Sequence, residues 1–177
     1  MLAIVGLDGH IAVLAVEGKV DESFGQLVSD WLDGSTSKKA RLEALCKTLN
    51  LTIDQSRPLR YQLLHRACSA IYEAQRYRTN IAVIVIHSFC PKQSGFSDFQ
   101  AFLGILGEKG EIAPGAVAGP FNLAGVSFYA TWVQDRIVEP ESAIQYLEDL
   151  KAYATRHSEW CGRVSSWCDQ LLYKLKV

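Results

Sequence analysis

The chain is 177 residues long, 49% hydrophobic and 21% charged, a balance that excludes a disordered protein and suits one folded domain with a core independent of disulfides or a structural metal. Its formal net charge of −1 excludes a protein that coats nucleic acid through bulk positive charge, but not a site-specific nucleic-acid enzyme, for which local patches outweigh the sum. The five cysteines, Cys46, Cys68, Cys90, Cys161 and Cys168, are scattered without a CxxC pair; this gives no support to a zinc ribbon or a thioredoxin-type motif and fits buried thiols in a reducing, cytoplasmic compartment.

Two β-branched-rich apolar runs, Met1–Leu7 and His10–Val20, are separated by Asp8-Gly9. Both positions of such a turn favour positive φ, so the pattern predicts an antiparallel hairpin with a long second strand. The first run lacks the basic flank of a signal peptide, and no run approaches the ~20 apolar residues of a membrane helix, so no membrane contact is expected. Leu42, Leu45, Cys46 and Leu49 recur at helical spacing and predict a helix from Thr36 to Leu49. A second helix is expected from Pro58 to Arg78, with Leu59, Leu63, Ala67, Ala70, Ile71 and Ala74 as its buried stripe. The continuous apolar run Ile81–Phe89 reads as a central strand buried on both faces. Phe96–Leu106 reads as an amphipathic helix, Gly107–Pro120 as a loop, and Val126–Val133 as a further strand. Past Pro140 the pattern is helical to the end. The order predicts an α/β fold, a mixed sheet flanked by helices, forming a single domain with a core over 1–134 and a helical C-terminal extension over 135–177.

The second hairpin strand holds the chemistry. Side chains alternate along a strand, so Ile11, Val13 and Ala15 share a face with Glu17 and Lys19. A buried carboxylate and ammonium need partners, metal or water. A carboxylate on a strand can ligate a divalent cation, and a lysine two residues on can orient an attacking water or stabilise developing negative charge. Three stretches, VEGKVDESFG (Val16–Gly25), RYQLLHRACSAIYEAQRY (Arg60–Tyr77) and AVIVIHSF (Ala82–Phe89), resemble an uncharacterised bacterial family of the PD-(D/E)XK, restriction-endonuclease-like nuclease superfamily. The resemblance implies a restriction-endonuclease-like core with Mg²⁺ or Mn²⁺ as cofactor and DNA as substrate. Within it Glu17 would bind metal, Lys19 would position the nucleophilic water, and Gln62 would orient water or substrate.

The same resemblance calls for an aspartate on the preceding strand. A two-residue turn sets Leu7 opposite His10, and Glu17 then faces the position just before Met1. Asp8 lies at the far end of the hairpin, roughly 30 Å from Glu17 at ~3.3 Å per residue, and Glu22 belongs to the other face. The expectation is either a natural start upstream of Met1 or an incomplete metal site, with a truncated N-terminus and weak or no hydrolysis. Arg60, His65 and Arg66 are candidate substrate-binding residues, with Gln62 and Ser69 on the same side of their helix. His87 and Ser88 end the central strand, and no GxSxG, Walker-type or GxGxxG motif accompanies them. Trp160, Trp167, Leu171, Leu172 and Leu175 complete the core or face a second subunit. A homodimer is plausible if missing N-terminal elements leave a sheet edge exposed. Beside the DNA hydrolase stands an alternative, a non-catalytic interaction or structural module on a nuclease-like core.

Overall fold

The computed structural model describes residues 1–7 and 10–135, with Gln145 and Glu148 beyond them. The chain divides into two compact units, Met1–Arg136 and Ile137–Val177. The first unit is an α/β domain around a five-stranded mixed sheet. Its strands are β1 (Leu2–Leu7), β2 (His10–Lys19), β3 (Ile81–Ser88), β4 (Val117–Leu123) and β5 (Val126–Gln134), in the spatial order β1-β2-β3-β5-β4. The inner pairs β2/β3 and β3/β5 are parallel, while the outer pairs β1/β2 and β4/β5 are antiparallel. The helices are α1 (Val28–Trp31), α2 (Thr36–Thr48), α3 (Ile53–Ser56), α4 (Tyr61–Arg76) and α5 (Phe96–Leu106).

The β1/β2 register runs from Leu7↔His10 to Leu2↔Ala15, as a two-residue connection requires. The Asp8-Gly9 turn itself lies outside the described residues, as do the expected helices past Pro140 apart from Gln145 and Glu148. On β2, Val13, Ala15, Glu17 and Lys19 are all buried on one face. That face is covered by α4, which bridges the parallel strands β2 and β3. Its inward positions Ala67, Ala70 and Ala74 are fully buried beside Leu63, Leu64 and Ile71. Alanines at the contact let the helix backbone approach the sheet closely. Polar side chains one turn away on the same helix can then reach β2.

Three expectations are corrected. The second helix begins at Tyr61, not Pro58, because the residues before it are held elsewhere: Val28 N–H donates to Leu59 O, Ser29 N–H to Arg57 O, and Tyr61 N–H to Gln26 O. A separate short helix, α3, precedes it, its N-terminus closed by a capping box of Thr52 and Gln55. Leu59 is buried as expected, but from a bend before the helix, its N–H bonded to Ser56 O. The central strand β3 is not buried on both faces; Ala82, Ile84, Ile86 and Ser88 are buried while the alternate residues are half-buried. Finally, part of the Gly/Pro-rich stretch expected to be a loop is strand β4, which contains Pro120 and shifts register between Ala118 and Phe121. β4 is an edge strand, where a residue without an N–H is tolerated.

Candidate functional site

Glu17 and Lys19 stand at the C-terminal end of β2, and the parallel register aligns them with Ile86 and Ser88 at the C-terminal end of β3. β5 continues the rows with Trp132 and Gln134. The carboxyl ends of parallel strands are where α/β sheets usually present their sites. Behind this row the side chains of Phe24, Phe96, Phe99 and Trp132 pack as an aromatic cluster with centroids 5.1 to 6.3 Å apart. This apolar backing removes water from one side of the charges.

Lys19 is only 3% exposed. Its ammonium donates to Gln62 Oε1 at 3.0 Å and to the Ser23 carbonyl at 3.1 Å, and lies 4.8 Å from the centre of the Phe24 ring. Glu17 Oε1 lies 3.6 Å from Lys19 Nζ and accepts a short hydrogen bond from Gln62 Nε2. Its other oxygen, Oε2, is 2.7 Å from Arg66 Nε. That contact is an ion pair rather than a well-aligned hydrogen bond, since the Arg66 N–H does not point along it. One buried carboxylate thus faces two cations, with an amide bridging it to one of them. The expected proximity of Glu17, Lys19, Gln62 and Arg66 is observed.

The other candidates are placed differently. Arg60 pairs with Asp98 of α5 at 3.0 Å and donates to the Gly25 carbonyl at 2.8 Å, clasping α5 and the loop after β2 to the start of α4. His65 is exposed and stacks on Tyr61, which stacks in turn on Trp31. Partial burial, then Arg66 and Arg41, hold the His65 imidazole below its ordinary pKa, and Glu17 offsets this only in part. Arg66 and Arg41 thus both lie within electrostatic reach of His65, as does Glu17. Ser69 and Arg66 line a groove of about 240 Å³ shared with Met1, Leu2, Ala15 and Val16. His87 bonds to Asp135 at 3.3 Å and packs against Phe89, while Ser88 is buried and accepts from the Cys90 N–H.

A divalent cation is the cofactor implied by the resemblance, and the described donors do not fit one. Both Glu17 oxygens are already engaged, and β1 (LAIVGL) brings no acid. Glu22 is 3.9 Å from Lys19, but its other oxygen accepts from the Val20 and Asp21 amides. Backbone hydrogen bonds, chiefly, hold its carboxyl below the usual range. Among the described residues no group of three His, Cys, Asp or Glu side chains is placed to hold a metal, and no helix is long and apolar enough to cross a membrane.

Ser23, Phe24 and Arg41 escaped sequence reading. Ser23 acts through its backbone, which no residue pattern reveals. Arg41 approaches from α2, a helix whose sequence shows its apolar stripe but not the neighbour of its polar face.

These features define the class: an α/β domain with a mixed sheet and a buried Glu-x-Lys ion cluster at the ends of its parallel strands. The chain belongs to the family described as a domain of unknown function (DUF6946), which matches residues 1–137. No curated protein and no solved structure matches it.

Proposed function

We propose that this chain is a nuclease-like domain that binds the phosphodiester backbone of DNA through Arg41, His65 and Arg66 and does not cleave it with its described residues. The observation that carries this reading is the engagement of both Glu17 oxygens by Arg66 and Gln62. A carboxylate so held is a structural counter-ion, not an open metal ligand. The nuclease-like part is supported by the topology: an antiparallel hairpin, then a helix crossing to a parallel strand, with Glu17 and Lys19 on the helix side and Gln62 on that helix. DNA binding is supported by two arginines, Arg66 and Arg41, that lie within electrostatic reach of the exposed His65. Mg²⁺- or Mn²⁺-dependent hydrolysis, the activity of the resembling superfamily, requires a second carboxylate beside Glu17.

Fluorescence anisotropy with a labelled duplex tests the binding. Affinity is expected to fall with salt, and Arg41→Gln to lower the slope of log K against log salt by about 1. No binding at low salt contradicts the DNA reading; nicking of a plasmid by the purified chain with Mn²⁺ contradicts the absence of cleavage.

A further inference from the structure

The two edges of the sheet are unlike. β4 is guarded, since Pro120 has no N–H to offer and the register shift between Ala118 and Phe121 interrupts a regular ladder. β1 has no such device. Its sequence LAIVGL contains no charge, no proline and no bulge, and Leu2 and Ile4 are each 51% exposed.

Among the described residues, the ladder shows which backbone groups of β1 have no partner. Met1 and Val16 exchange hydrogen bonds, 2.9 Å from the Met1 amine to Val16 O and 2.8 Å from Val16 N to Met1 O. Antiparallel strands alternate between bonded and non-bonded pairs, so Ala3 and Val5 also direct their amide groups to β2. Leu2, Ile4 and Gly6 direct theirs outward, giving three donors and three acceptors along the edge. This set is self-complementary. Turned about a twofold axis through Ile4, the edge pairs with itself so that Ile4 meets Ile4 and Leu2 meets Gly6, and all the outward groups are satisfied. The missing side chain of Gly6 leaves room for the Leu2 opposite, and no charged side chain on β1 faces its counterpart in the other copy.

We propose that β1 is a self-pairing edge through which two copies of the chain join, in antiparallel register about Ile4, into one continuous sheet. The guarded β4 edge makes the head-to-tail alternative, β1 on β4 of the next copy, unfavourable, and it is that alternative which would build open filaments. The exposed Leu2 and Ile4 side chains share the helix-covered face with Ala15 and Val13. There they border a groove of about 370 Å³ along the end of α4, formed with Glu73, Arg76 and Tyr77. The second copy would shield this apolar rim. The inference is independent of any activity at Glu17.

Sedimentation equilibrium of the full chain tests it by charge exchange at the axis. Ile4→Lys and Ile4→Glu substitute an exposed side chain, so both variants should keep the fold, as circular dichroism would verify. The parent chain is expected to dimerise, and each variant, with like charges facing at the axis, to dissociate about tenfold more readily or beyond. A one-to-one mixture of the two should regain the dimer. A parent chain that stays monomeric at every concentration overturns the proposal. So does a lysine variant that dimerises like the parent, or a mixture that stays monomeric.

Discussion

Lys19 shows why the cluster is best understood as a unit. Its ammonium is buried with a carboxylate 3.6 Å away, an amide oxygen at 3.0 Å and a carbonyl at 3.1 Å. Lys19→Met leaves the Gln62 Oε1 and Ser23 carbonyl acceptors without their donor while Glu17 keeps Arg66, so it is expected to destabilise the fold by roughly 1–3 kcal/mol. Gln62→Leu, which strips the bridge between Glu17 and Lys19, should cost about 1–3 kcal/mol. Because the two side chains share one network, the double variant should depart from additivity by at least ~0.5 kcal/mol in urea unfolding; strict additivity would mean they act separately. His65 reports the electrostatics of the rim. Its pKa is held down by partial burial, Arg66 and Arg41, so the unfolded chain takes up a proton at higher pH than the folded one. The contribution of His65 to stability is therefore complete above its unfolded value and declines as pH falls through it toward the lower folded value. In an NMR titration Arg66→Gln should raise the His65 midpoint; an unchanged or lower midpoint would remove Arg66 as a cause of the lowered pKa.

At the scale of the element, the β4/β5 hairpin offers the sharpest contrast. Gly119 has φ of +105°, and a Cβ there would lie 2.7 Å from the Phe128 carbonyl oxygen, which is backbone and cannot swing away. Gly115 also has positive φ, +88°, but open space around it. Gly119→Ala should therefore cost clearly more than ~1 kcal/mol, and more than Gly115→Ala, in a comparison of urea midpoints; equal costs would show that the hairpin yields at Phe128. Elements with strong periodicity were legible: α5 covers Phe96–Leu106 as its apolar spacing predicts, and α2, β3 and β5 end within a residue or two of expectation. What escaped had weak local signals. β4 was hidden by Gly119 and Pro120, which mark loops unless the strand is known to be an edge. α1 and α3 have four residues each, too few for a period to appear. The start of α4 is set by Gln26–Ser29 pairing with Arg57–Tyr61, a contact between segments some thirty residues apart that no local pattern reveals.

Across the whole molecule, the part of the site that can be read from one strand was read. Period-two alternation sets Glu17 and Lys19 on one face, and that face is the buried one. The hairpin register shows β1 supplying no acid opposite Glu17. The long-range pairings were legible only in part: Gln62 and Arg66 were expected near the site from their helix, whereas Arg60 is diverted to Asp98 on α5. Sequence order does not show that α5 comes within reach of the start of α4. The result is a mixed-sheet α/β arrangement in which the Glu17 carboxylate is held by two cations and an amide. Calorimetric titration of Mn²⁺ into the full chain and into Glu17→Gln, a substitution that retains shape and hydrogen bonding, tests this most directly. The closed network predicts no saturable binding in either protein. Saturable binding by the parent chain that disappears in Glu17→Gln would contradict it and make Glu17 a working metal ligand.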